Sequence, residues 1–231
     1  MQRIIYGLRN RLIIPVREFY RGLKHKRKRA RDSKTFHPNE LFNQQFVRYV
    51  YYRHLSEWLP FRFPTNGERK IRVVEFGGSN GVIVSYFKNA EIEIAPNYPE
   101  VDIQNLTNYA NDTYDCVILD QIIEHVPRPW DAIREVRRVL KKGGVCICAT
   151  PFMVRIHNYP KDYWRFAEDG LHELFSDYSA IDISGWGNRF ALFVTARDYW
   201  WADSGTTKGR QEVDLSNEPD WPIVYLTKAT K

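Results

Sequence analysis

The chain of 231 residues is 43% hydrophobic and 27% charged, proportions that suit one globular domain with appendages and exclude a disordered or fibrous chain. No apolar run approaches the roughly 18–20 residues of a membrane span, and Arg3, Arg9 and Arg11 interrupt the stretch where a secretory leader would be apolar, so a cytoplasmic protein is expected. The net charge of +6 is unevenly spread: residues 1–34 hold 12 lysines and arginines against Glu18 and Asp32, net +10, while the other 22 bases face 26 acids, net −4. A basic arm is joined to a mildly acidic body.

In chain order, Ile4, Leu8, Leu12, Val16, Phe19 and Leu23 recur at helical spacing, interrupted at Pro15, and are followed by the run Lys24-His25-Lys26-Arg27-Lys28-Arg29-Ala30-Arg31. Residues 35–66 read as a helical lead-in, with Phe42, Phe46, Tyr49, Val50 and Trp58 near one face, closed by Pro60, Pro64 and Asn66-Gly67. The third segment, 67–231, alternates apolar strand-like runs with helical ones, the pattern of an α/β domain with a mostly parallel sheet and helices on both faces. Strands are expected at 71–76, 91–94, 116–120, 145–149, 180–184 and 222–228, with a weaker run at 101–103. Helices are expected at 81–88, 130–140, 168–175 and 190–201, and 202–220 reads as a long loop. Cys116, Cys146 and Cys148 are too few for a disulfide framework and lie inside the strand runs, where thiols pack as small hydrophobes; no partners stand at metal-finger spacing, and no metal site is expected.

The first strand runs into Glu75-Phe76-Gly77-Gly78-Ser79-Asn80-Gly81. Glycines at a strand-to-helix turn permit positive φ and close approach of a ligand to the backbone, and the carboxyl edge of an open parallel sheet is where ligands bind. Glu93, one βα unit later, stands where an acid accepts hydrogen bonds from a ribose diol, with Glu91 as the alternative if the register slips by two. Asp102 follows, and then Tyr114-Asp115-Cys116-Val117-Ile118-Leu119-Asp120-Gln121.

Together with Ile122-Ile123-Glu124-His125-Val126 and Arg137-Arg138-Val139-Leu140-Lys141-Lys142-Gly143-Gly144, these blocks resemble the class I S-adenosylmethionine-dependent methyltransferases over about residues 71–176 and a last strand at 221–231. The resemblance implies a Rossmann-like sheet of seven strands, mostly parallel with an antiparallel last strand, and S-adenosyl-L-methionine as cofactor. It assigns Glu75, Gly77, Gly78, Ser79 and Gly81 to the methionine part of the cofactor, Glu93 to the ribose, Asp102 and Ile103 to the adenine, and Asp120 with Gln121 to the floor near the sulfonium. A side chain at Gly77 would then occupy cofactor space. Ser79 departs from the usual central glycine of the triplet.

A narrower block, Thr150-Pro151-Phe152 and His157-Asn158-Tyr159-Pro160-Lys161-Asp162-Tyr163-Trp164-Arg165-Phe166, resembles bacterial methyltransferases associated with surface polysaccharide and other glycan biosynthesis, which implies a sugar or glycan-linked acceptor. Aromatic faces stack on sugars and polar groups meet hydroxyls, so Tyr159, Tyr163, Trp164 and Arg165 are candidate acceptor contacts; the alternative is a packed connector with Tyr163, Trp164 and Phe166 in the core. A sugar hydroxyl has a high pKa, and His157, Asp162 and then His125 are the candidate general bases. Asp120 lacks a second and third oxygen ligand for a divalent ion. Rival readings are a nicotinamide oxidoreductase, an RNA or small-molecule methyltransferase, and a non-catalytic subunit of the same fold. The net acidic body and the lack of a separate RNA-binding module make nucleic acid the weaker partner.

The arm combines an amphipathic stretch with a polybasic run, the two signals of reversible attachment to an anionic membrane, here its inner face; each basic residue near such a surface contributes roughly 1 kcal/mol. The full chain is therefore expected to co-sediment with anionic but not neutral vesicles at low salt, and a truncation beginning at Thr35 to stay in the supernatant. If both stay in the supernatant, the arm does not bind lipid.

Overall fold

A computed structural model describes residues 70–77, 87, 90–157, 161–198 and 216–231. The arm 1–34, the lead-in 35–66, Gly78, Ser79, Gly81, Tyr159 and most of the helix expected at 81–88 lie outside the described residues.

Six strands are described: β1 (Ile71–Gly77), β2 (Ala90–Ile94), β3 (Tyr114–Asp120), β4 (Leu140–Pro151), β5 (Ala180–Trp186) and β6 (Val224–Thr230). They form one sheet in the order β2-β1-β3-β4-β6-β5. β2, β1, β3 and β4 are mutually parallel, and β6 runs antiparallel to both β4 and β5. The expected α/β class and antiparallel last strand are present; the expected seventh strand is not among the described residues. The run 101–103 forms turns instead. There the Val101 N–H bonds the Asn97 carbonyl at 3.4 Å and the Asp102 carbonyl accepts from the Asn105 N–H at 2.9 Å, while Asp102 Oδ1 accepts from the Gln104 N–H at 2.9 Å, local bonds that close turns and add nothing to the sheet edge.

The core follows from strand periodicity. All of β3 is buried, its side chains alternating between two faces. Val74, Phe76, Val117, Leu119, Cys146 and Cys148 pack on one face, and Val73, Cys116, Ile118, Val145, Ile147 and Ala149 on the other. Cys146 and Cys148 thus share a face, as their spacing requires, and burial pushes all three thiols up. The first face is covered by α1 (Pro129–Val139) and α2 (Glu168–Leu174). Proline opens α1, where a missing N–H costs nothing, and Ala132, Ile133, Val136 and Val139 form its buried stripe. Each large apolar side chain buried there contributes about 1.5–3 kcal/mol. α3 (Arg189–Asp198) starts after Asn188, whose Oδ1 accepts from the Ala191 N–H at 2.7 Å, an N-cap.

The turns after β2 are fixed to α1 by one guanidinium. Arg138 donates to the carbonyls of Leu106 and Tyr109, to Asn111 Oδ1 and to both oxygens of Glu135, and this holds the Glu135 carboxyl below its usual range. No described helix is long and apolar enough to cross a membrane.

Candidate functional site

The chain leaves β1 toward the β2 side and returns on the other side of β1 as β3, so the sheet order reverses between β1 and β3. Such a reversal opens a crevice at the carboxyl ends of the strands. Gly77 and Asp120 are the last register pair of β1 and β3. Gly77 has φ +113°, and a Cβ there would lie 2.4 Å from the Asp120 carbonyl oxygen. The neighbouring backbone thus excludes a side chain at Gly77 whether or not a ligand is bound, a reason for the glycine in addition to the expected one. Asp120 and Glu75 are fully buried at this edge. Gln121 leaves the sheet with φ +53° while its N–H bonds the Ala149 carbonyl at 2.9 Å. Of the expected cofactor residues, Glu75, Gly77, Asp120 and Gln121 therefore lie together at the carboxyl ends of β1 and β3.

Glu93, on β2, accepts from the Tyr114 hydroxyl at 2.6 Å, which orients its carboxylate; burial and then this bond push the Tyr114 pKa well up. Asp102 has Oδ1 engaged by the backbone and side-chain N–H groups of Gln104, and Ile103 beside it is 4% exposed. Glu93 thus lies within β2, and Asp102 in the turns that follow it.

Just beyond Gln121 a single 3₁₀ turn, Ile123–His125, carries a group that no sequence expectation assigned a role. Glu124 is fully buried, and burial raises its carboxyl to about 8, outweighing its own backbone N–H, with the charge of Asp120 adding to the rise. Thr150 donates to Glu124 Oε2 at 3.4 Å, whereas Oε1 has no hydrogen-bond partner among the described residues. Two imidazoles flank that oxygen, His125 Nε2 at 3.7 Å and His157 Nε2 at 4.0 Å, with ring centroids 5.0 Å apart. The Nδ1 of His125 donates to the Lys161 carbonyl. Burial, reinforced by His125, keeps the His157 pKa below its usual value against the pull of Asp162.

The loop after β4 brings His157 and Asp162 here, as expected, but divides its residues differently. Asp162 accepts from the His157 backbone N–H at 2.8 Å and is clasped by both terminal nitrogens of Arg165. Burial pushes its carboxyl up, yet Arg165 and that N–H together hold it low, so Asp162 positions rather than takes a proton. Arg165 is further spent on the carbonyls of Val154, Trp164 and Arg155. Trp164 packs on Trp130 and Phe166 and donates to the Val126 carbonyl at 2.9 Å. The N–H groups of Tyr163 and Trp164 both reach the Glu124 carbonyl, at 2.8 and 3.3 Å. The connector reading therefore describes Trp164 and Phe166, and Arg165 is taken up within the same loop, while Tyr163, 44% exposed, faces solvent with Trp130, 49% exposed. Trp130 had drawn attention only as the start of a helix.

Gly77→Ala is expected to lower stability by on the order of 3 kcal/mol, read by urea unfolding without any ligand, because the new methyl group strains both φ and the contact with Asp120. Unchanged stability would return the glycine to a purely ligand-binding role.

The chain matches the family model described as a methyltransferase domain over residues 46–199, more than half its length. No curated protein matches it. Among solved structures it is similar to the CurJ carbon methyltransferase, with TM-score 0.50 and 12% identity over 72% of this chain and 50% of that one. It is also similar to the [4+2]-cyclase SpnF, with TM-score 0.46 and 17% identity over 77% and 80%. A third is a SAM-dependent methyltransferase from Archaeoglobus fulgidus, with TM-score 0.48 and 12% identity over 80% and 94%. At such identities the structural likeness speaks to the fold alone. The family match over more than half of the chain is what identifies it: the chain belongs to the methyltransferase-domain family, as a class I methyltransferase fold whose cofactor is S-adenosylmethionine.

Proposed function

We propose that the chain methylates a hydroxyl of a sugar or glycan-related acceptor. When bound, S-adenosylmethionine supplies a sulfonium-borne methyl group: the acceptor oxygen bonds the methyl carbon in line as the carbon–sulfur bond breaks with its electron pair left on sulfur, and the hydroxyl proton must go elsewhere. The chain's own residues provide position and a place for that proton. Glu93, oriented by Tyr114, is the acceptor for a ribose diol, and Asp120 and Gln121 close the floor of the crevice.

The observation that carries the hydroxyl reading is the pair of imidazoles set against buried Glu124 one turn beyond Gln121. A carboxylate acceptor, already ionised, needs no proton-handling group; a sugar hydroxyl does. His157 is kept neutral by burial, and Asp162 fixes the backbone that carries it. Exposed Tyr163 and Trp130 beside this corner offer the aromatic faces on which sugars stack. The basic arm 1–34, on the same reading, brings the domain to membranes where lipid-linked acceptors reside.

Glu93→Ala should weaken S-adenosylmethionine binding by about 1.5–3 kcal/mol, measured by calorimetry, as loss of a charged hydrogen bond predicts. His157→Ala should lower labelled methyl transfer onto a panel of nucleotide sugars and lipid-linked glycans by about 10²–10⁴, and Asp162→Ala by roughly 10–10², with cofactor affinity intact in both. Equal losses of cofactor affinity would make the loop structural, and transfer to RNA alone would overturn the glycan assignment.

A further inference from the structure

Glu124, His125 and His157 bring three donor atoms within 4.8 Å of one another. The separations of 3.7 and 4.0 Å between each Nε2 and Glu124 Oε1 are too long for hydrogen bonds. Oε1 is completely buried and has no hydrogen-bond partner among the described residues, so its surroundings offer it two imidazole nitrogens and no proton donor at bonding distance.

The opposite side of each ring explains which nitrogen faces inward. His125 Nδ1 is on the Lys161 carbonyl, and His157 Nδ1 is 3.4 Å from the Arg155 carbonyl and 3.3 Å from Asp162 Oδ2, with Arg165 Nη2 also at 3.4 Å. The Lys161 carbonyl places the His125 proton on Nδ1, and the Arg155 carbonyl with Asp162 Oδ2 favours the same tautomer of His157 over the single Arg165 contact, so that each Nε2 is the basic nitrogen on the side of Oε1. A backbone carbonyl and a carboxylate behind the rings are the outer partners that orient metal-binding histidines. Two basic nitrogens and a carboxylate oxygen aimed at one point want a cation between them.

We propose that Glu124, His125 and His157 hold a divalent transition-metal cation of the zinc class. Two imidazoles disfavour ions that prefer all-oxygen surroundings. A tetrahedral ion with bonds of about 2.0–2.2 Å sets its ligand atoms about 3.3 Å apart, so movements below about 1 Å complete the site. Three protein ligands leave the fourth position of a tetrahedral ion open. Sequence reasoning expected no metal because it looked for oxygens near Asp120; these donors come from one turn and from a loop 32 residues later. The use of the ion rests on the hydroxyl-acceptor reading, although its binding does not. An acceptor hydroxyl bound at the open position is acidified and releases its proton to solvent, so the histidines act by holding the ion instead of taking the proton themselves.

The test uses the full chain, stripped with a chelator. Calorimetry with Zn²⁺ is expected to show one saturable site, and Co²⁺ to give visible absorption of a nitrogen- and oxygen-ligated ion. Glu124→Gln, which keeps size and the Thr150 contact, and His125→Gln should each weaken Zn²⁺ binding at least tenfold, with thermal unfolding and S-adenosylmethionine affinity of the metal-free variants close to those of the parent. Absence of saturable binding, or equal affinity in both variants, overturns the site. Undiminished methyl transfer in chelator overturns the ion's role while leaving the hydroxyl reading standing. A loaded site with no transfer to any hydroxyl acceptor removes that reading and leaves the metal site.

Discussion

A methyl group would not fit between Gly77 and the carbonyl of Asp120, and much of the molecule's working edge depends on that bare contact. It lets β1 and β3 stay paired to their last residues while the chain turns away in opposite directions. A reversal of strand order opens a crevice at this edge, and Glu75 and Asp120 are buried in the two strands that end there. A low-dielectric cleft lined with acids concentrates negative potential, which suits a cofactor carrying a sulfonium charge.

The second half of the site is held by backbone hydrogen bonds more than by side chains. The Glu124 carbonyl receives two N–H groups from the loop that also delivers His157, and the Trp164 indole ties the same loop to Val126. The 3₁₀ turn and the loop therefore have one geometry between them. The Arg165–Asp162 pair closes the arrangement from behind, consuming charges that would otherwise compete for the acceptor. Tyr163 and Trp130 keep exposed aromatic faces beside this corner.

Much of the fold was legible because its signals are local. The uninterrupted apolar run of β3 and the helical stripe of α1 declare themselves at their own positions. The start of β4 did not: Lys141-Lys142-Gly143-Gly144 reads as a turn, yet Leu140 already pairs with Tyr114 across an irregularity in the ladder. The run 101–103 has strand-like composition, but its backbone is spent on local turns, Val101 N–H to the Asn97 carbonyl and the Asp102 carbonyl to Asn105 N–H, a contest that composition does not reveal. In the site, Gly77 and Glu93 stand out through spacing, and Asp120 through the resemblance of its block. Glu124 was overlooked because its significance lies in being buried beside His157, a long-range fact; its one local hint is a carboxylate flanked by Ile122, Ile123 and Val126. Arg165 looked like a binding residue for the complementary reason, since only the folded loop shows that Asp162 and three carbonyls already occupy it.

β6 is the last strand in chain order and lies between β4 and β5. Until it inserts, those two strands each present an unpaired edge, and Leu226 and Ala229 leave the two core faces incomplete. The sheet is thus completed by a contact between segments distant in sequence, the kind that closes large loops before it gains stability and slows folding. During synthesis, the half-built sheet exposes β4, whose Val145-Cys146-Ile147-Cys148-Ala149 run is the sort of apolar edge that pairs with other chains. The arrangement makes the C-terminal strand a gatekeeper of solubility as much as a part of the fold.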